Sequence, residues 1–280
     1  MKRLAFAVLF VFGWVAGSAQ VVTSAGAGEV LDRIRTRGVI MVATDPVWPP
    51  ISWRKEDGEF DGFDVDVAKE IAKRMEVGIE FVTPTWDEIT AGHWGGRWDI
   101  SVGSMTPTEK RAENLEFPAH YYYEMSVLVV HQNNQTIRTP ADASGKRIGV
   151  LKASVYEKYL TREPLNIVGM KPITYKIEQP TIVRYDWENQ PYDALSKGDG
   201  VELDAMISIV TNAMYEIRQG RPLKIIGTPL QLTPSAIAIE PGDLEFAALL
   251  SQIIEGMRKD GTLSRLSTNW FEIDMTKPGS

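Results

Sequence analysis

Gly62-Phe63-Asp64-Val65-Asp66-Val67-Ala68-Lys69-Glu70-Ile71-Ala72-Lys73-Arg74-Met75 is the stretch from which the rest of the chain can be read. Val65, Val67, Ala68, Ile71, Ala72 and Met75 give it an apolar face, so residues 64–75 are expected to form a helix packed on a sheet. Asp64 and Asp66 fall in its first turn, where acids complement the positive end of the helix dipole. That position accounts for them without a ligand role. Upstream, residues 39–43 (VIMVA) form a continuous apolar run of strand length, and residues 29–37 have helical spacing that Gly38 stops. Between them and the helix lies a loop whose Pro46, Pro49 and Pro50 forbid a helix. Downstream, residues 79–82 read as a strand, 86–91 as a short helix and 98–102 as a strand. Strand, helix, strand, helix, strand is the pattern of a parallel α/β unit.

The same rhythm returns after His131. Residues 147–151 read as a strand, and Ser154 is placed to cap a helix that runs to about Leu160, its hydroxyl accepting free N–H groups of the first turn. A helix over 192–197, a strand over 203–207, a helix over 210–218 and a strand over 223–227 follow. Two strand-like stretches, 125–130 and 235–239, are placed to join the units, and 244–271 is helical with a break at Gly261. The expected architecture is therefore two α/β lobes joined by two crossover strands. One lobe comprises residues 28–128 plus 235–280 and the other residues 129–234. Such a pair can close on a small ligand by rotation about a few hinge residues.

Composition narrows the function. The chain has 280 residues, 44% apolar and 24% charged, with a net charge of −7, which does not suggest a nucleic-acid partner. It has no cysteine, hence no disulfide framework or thiolate site. Its three histidines, His93, His120 and His131, share no short metal-ligand spacing. Neither a metal nor a cofactor is expected. Met1-Lys2-Arg3, the apolar run 4–16 and the small residues that follow have the layout of a signal peptide, assigned to residues 1–27. The run is shorter than the ~20 residues of a membrane span. With no cysteine after it, a soluble exported protein without a lipid anchor is expected, in the periplasm.

The stretch 62–75 also matches, at every position, the signature of the bacterial family 3 extracellular solute-binding proteins, and further pieces resemble that family in order. They are Thr44-Asp45-Pro46-Val47-Trp48-Pro49-Pro50 after the first strand, Ser104-Met105-Thr106-Pro107-Thr108-Glu109-Lys110-Arg111, Lys146-Arg147-Ile148-Gly149-Val150-Leu151, Asp260-Gly261-Thr262-Leu263 and Trp270-Phe271. The pattern is most similar to receptors for histidine and for lysine, arginine and ornithine. The resemblance implies the type II periplasmic-binding-protein fold. It also implies a monomeric receptor that delivers an amino acid or related carboxylate to the permease of an ABC importer. Two other readings stay open: an enzyme of the cyclohexadienyl dehydratase kind on the same fold, and a module that presents ligand to a signalling receptor.

Carried over residue by residue, the resemblance gives a ligand site. Arg111 would hold the ligand carboxylate with its planar fork of donors, helped by Ser104, Met105 and Thr106. Trp48 would stack over the ligand, Trp86 would lie at the cleft mouth, and Asp45 aligns with the acid that meets cationic side chains. Ser154 and Val155 occupy the second-lobe loop, where the family carries Gly-Ser-Thr. Ile209 stands where the family has the carboxylate that holds the α-ammonium. Burying an ammonium without an anion costs at least several kcal/mol. Either the register slips, or another acid serves, with Glu178, Asp186 and Glu188 as candidates, or the ligand is not an ordinary α-amino acid. If the register holds, Ile209 faces the ligand, and Ile209→Asp is expected to fold and to shift preference toward ordinary amino acids.

Overall fold

The computed structural model describes residues 28–167 and 169–277; the expected signal peptide lies outside the described residues. The first half runs α1 (Glu29–Arg37), β1 (Val39–Ala43), β2 (Val47–Trp48), β3 (Ser52–Arg54), β4 (Phe60–Asp61), α2 (Phe63–Arg74), β5 (Gly78–Val82), α3 (Trp86–Ala91), β6 (Ile100–Met105) and β7 (His120–His131). The second half runs β8 (Arg147–Leu151), α4 (Val155–Thr161), β9 (Thr181–Tyr185), α5 (Asn189–Ser196), β10 (Ala205–Ile209), α6 (Val210–Arg218), β11 (Leu223–Ala238), α7 (Leu244–Lys259) and α8 (Thr262–Phe271).

Eight strands form one sheet in the order β5-β1-β6-β11-β7-β10-β8-β9, while β2, β3 and β4 make a small separate sheet. β1 pairs in parallel with β5 and β6, and β8 with β10 and β9. The long antiparallel pair β7 and β11 lies between these groups and crosses from one lobe to the other. This is the two-lobed α/β architecture that the sequence implied.

The expected strands 223–227 and 235–239 are one strand, β11. Gly227 and Pro229 read as its end, but the ladder only shifts register between Ile226 and Gln231 and then resumes. Gly227 takes φ +67° there, and a bulge is where a sheet tolerates proline. β7 is also longer than expected, because Tyr121, Tyr122, Tyr123 and Glu124 continue it. β9 was not expected at all. It is an edge strand, and no residue of it is fully buried.

The signature helix α2 lies against the first lobe's sheet with Phe63, Val65, Val67, Ala68 and Ile71 wholly buried; each such large apolar side chain contributes about 1.5–3 kcal/mol by leaving water. Its opening glycine has a steric cause. Gly62 sits at φ +127°, and a Cβ there would lie 2.4 Å from the Ile51 carbonyl oxygen. Asp64 stands in the first turn of α2 as expected, and it also has a packing role. It is fully buried, accepting hydrogen bonds from the Tyr121 hydroxyl and Ser104 Oγ, both at 2.8 Å. Asp66 accepts from Trp270 Nε1 at 2.9 Å, tying α2 to α8.

One acid joins two distant stretches of the chain. Asp243, at the N-terminus of α7, accepts from the backbone N–H of Gly28 (3.2 Å), Val30 (2.9 Å), Leu31 (3.0 Å) and Phe246 (2.9 Å). It therefore caps α1 and α7 together, satisfying N–H groups that helix starts leave free.

Candidate functional site

Ligands of parallel sheets sit at the carboxyl ends of the strands, and here those ends from both lobes face each other. Between them is a cavity with about 550 Å³ of space free of atoms, counting its mouth. Asp45 and Trp48 reach it from the loop after β1, Ser104 and Thr106 from the end of β6, and Arg111 from the 3-10 turn that follows. Leu151, Ser154, Val155 and Tyr156 come from the end of β8 and the start of α4. Glu188 comes from the segment between β9 and α5.

Arg111 is 4% exposed. Its Nη1 donates to the Thr106 carbonyl at 2.9 Å and its Nη2 to the Ala153 carbonyl of the second lobe at 3.1 Å, while Nε has no partner. The guanidinium carbon lies 5.4 Å from the Trp86 ring centroid. Burial lowers its pKa to about 10, so it stays cationic at neutral pH. Both of its hydrogen-bond partners are neutral carbonyls; among the described residues no carboxylate pairs with it.

The acids around it are strongly perturbed. Burial raises Asp45 to about 6 against the pull of the Val47 N–H, which it accepts at 2.7 Å. Glu124, in the buried part of β7, is raised by burial to about 7 and accepts from the Tyr122 hydroxyl at 2.5 Å. From Tyr122 the network runs to Ser104 (2.6 Å) and on to Asp64, which burial raises to about 8. Glu188, 2% exposed, is pushed well above the usual carboxylate range by burial and then by the charges of Asp45 and Glu124. These raised values mean that the folded chain binds more protons than the unfolded one above about pH 4. Stability from these groups is present at low pH and lost as pH rises through the folded values. The ligand-free protein should therefore melt lower at about pH 8.5 than at about pH 6.5. Equal melting temperatures would show that these carboxylates are already ionised in the fold.

The lobes are closed on each other. Besides Arg111 on Ala153, Lys152 pairs with Asp87, and Asn212 Nδ2 donates to the Pro49 carbonyl. The Glu109 N–H donates to the Asn166 carbonyl, and Asn166 Nδ2 to Glu109 Oε2, each at 3.0 Å.

Of the residues expected at the ligand, Asp45, Trp48, Trp86, Ser104, Thr106, Arg111, Ser154 and Val155 line the cavity. Met105 and Ile209 do not. Side chains alternate along a strand, so with Ser104 on the cavity side Met105 points away, into a cluster with Trp94, Trp98 and Leu115. Ile209 ends β10, is 1% exposed, and belongs to the apolar core. The Ser154 hydroxyl donates to the Leu151 carbonyl (2.6 Å) and accepts the Glu157 N–H (3.2 Å), so it caps α4. The residues that sequence reading missed include Glu124 and Tyr156. Glu124 had a signal, an acid inside a run of aromatic and apolar strand residues; Tyr156 had none.

The family described as bacterial extracellular solute-binding proteins, family 3, matches residues 40–273. The chain belongs to that family. The L-cystine-binding protein TcyJ of Escherichia coli strain K12 is 28% identical over 250 residues, covering 89% of this chain and 88% of its own. A solved ancestral arginine-binding protein bound to arginine superposes with a TM-score of 0.72 at 27% identity, over 84% of this chain and 99% of its own. The ancestral amino-acid-binding protein AncCDT-1, a precursor of cyclohexadienyl dehydratase, gives 0.73 at 26%, over 86% and 99%. As a member of family 3, the protein is a solute receptor by kinship, with its cavity where the two lobes meet.

Proposed function

We propose that the protein captures an amino acid or amino-acid-like carboxylate between its lobes, and that the closed form delivers it to the permease of an ABC importer without altering it. The observation that carries this reading is Arg111. A cation 4% exposed, with neutral carbonyl partners and no protein partner for Nε, at the wall of the cavity, is costly unless an anion completes it. A carboxylate matches its fork of donors. The relatives' names, binding proteins for cystine and arginine, supply the same ligand class. We divide the lobes into residues 28–128 with 235–280, and 129–234, a division supported by the passage of β7 and β11 between them. Among the described residues no helix is long and apolar enough to cross a membrane, and we place the mature protein in the periplasm as a monomer. The dehydratase reading is the weaker one, since the relatives are named as binding proteins for cystine and arginine.

A thermal-shift screen over amino acids, small carboxylates, the matching amines without a carboxylate, and prephenate tests this. A ligand at 100 times its Kd stabilises by about 2.7 kcal/mol. That is a rise of several degrees at about 2–4 °C per kcal/mol. The expected result is a rise with an amino acid, none with its decarboxylated amine, and prephenate recovered unchanged. No rise with any carboxylate, or conversion of prephenate to an aromatic product, would sink the reading.

A further inference from the structure

Position 209 leaves the second lobe without its expected ligand-facing acid, yet that lobe does place an acid in the cavity. Glu188 is 2% exposed, lines the cavity, and its Oε2 has no hydrogen-bond partner. Nothing in the fold explains a carboxylate there. It opens α5 without capping it by a side-chain hydrogen bond, and the charges that act on it, Asp45 and Glu124, are acidic too. Asp45 reaches the same cavity from the other lobe. It is held by the Val47 N–H through Oδ1. Closure thus brings a carboxylate from each lobe to the cavity that Arg111 also lines, and among the described residues neither carboxylate is in a salt bridge. Isolated, two such acids repel and lose their hydration; with a positive group between them, both costs are offset.

We infer that Glu188 is the second-lobe acid that receives the ligand's cationic nitrogen, doing so from the β9–α5 segment in place of the end of β10, with Asp45 facing it from the first lobe. The inference rests on the reading of the cavity as an amino-acid site. It also narrows the ligand class. The ligand must carry a positive nitrogen as well as the carboxylate for Arg111, so deaminated acids should be refused. The expectation drawn from Ile209 alone, a ligand lacking that nitrogen, is reversed.

The experiment is calorimetry on wild type, Glu188→Gln, Glu188→Asp and Arg111→Ala. The probes are the standard amino acids, L-ornithine, L-cystine, and the deaminated counterpart of each amino acid that binds. Glutamine keeps the shape of Glu188 and removes its charge, so the fold should persist. The expected result is a loss of at least about 30-fold for the bound amino acid in Glu188→Gln, within the range for truncating a buried charge pair. Glu188→Asp should retain part of the affinity, and discrimination against the deaminated counterpart should collapse in Glu188→Gln. A merely structural role for Glu188 would leave that discrimination intact. If wild type binds an amino acid, Arg111→Ala loses it, and Glu188→Gln binds within threefold of wild type, the inference is overturned while the receptor reading stands. If wild type binds none of the probes, the receptor reading falls and the inference with it.

Discussion

Arg111→Ala removes ligand capture and leaves the fold standing. Truncating one partner of a desolvated charge pair costs on the order of 2–5 kcal/mol, about 30-fold to several thousand-fold in Kd. The fold should tolerate the change because the ligand-free guanidinium is itself a burden. It is buried, its Nε is unpaired, and its two hydrogen bonds go to neutral carbonyls. Removing it relieves desolvation while losing the bond to the Thr106 carbonyl and the cross-lobe bond to Ala153. Calorimetry with whichever amino acid stabilises the wild type, alongside a thermal melt of the variant, checks both halves. Binding within threefold of wild type would mean that the carboxylate lies elsewhere.

The second large effect is on stability. Ile209→Asp should destabilise the protein by about 3–5 kcal/mol, the scale for an uncompensated buried charge. Ile209 is 1% exposed, at the end of a strand whose five residues are all buried. Its neighbours in that strand are buried too, so a carboxylate there would lose its hydration. This replaces the expectation that the substitution would sit hydrated in an open cleft and recruit amino acids. Urea unfolding reads it directly. A variant with the wild-type midpoint and improved affinity for amino acids would put residue 209 back in the cleft.

The two substitutions show where the sequence is informative. Arg111 and its neighbours were legible through the resemblance of residues 104–111 to the family's ligand-carboxylate segment, with which their place after the strand 98–102 agrees. The two lobes were legible because period and length separate strands from helices. What was not legible depends on details finer than period. Met105 and Ser104 are adjacent, and a strand sends them to opposite faces; a resemblance over the whole segment cannot choose between them. Ile209 was carried over as a site position by alignment, whereas the core claims its side chain. Asp64 looked like a helix-start acid; that it is buried under Tyr121 and Ser104 follows from how α2 seats on β6, which no local pattern encodes. β9 escaped because an edge strand needs little apolar alternation.

Asp243 makes the start of the first lobe depend on residues from late in the chain. Its carboxylate joins Gly28 across a sequence separation of 215 residues, and α1 has no side-chain cap of its own. β11, α7 and α8 all lie late in the chain, and α7 and α8 supply Leu250, Ile254, Met257 and Leu263 to the core that encloses α1 and α2. A nascent chain that stops before Asp243 therefore has the beginning of its first lobe but neither the cap nor the packing that fixes it. Contacts of such long range are slow to form, because a large loop must be closed before they contribute. The first lobe cannot complete its cap on α1 or its core until α7 and α8 are present.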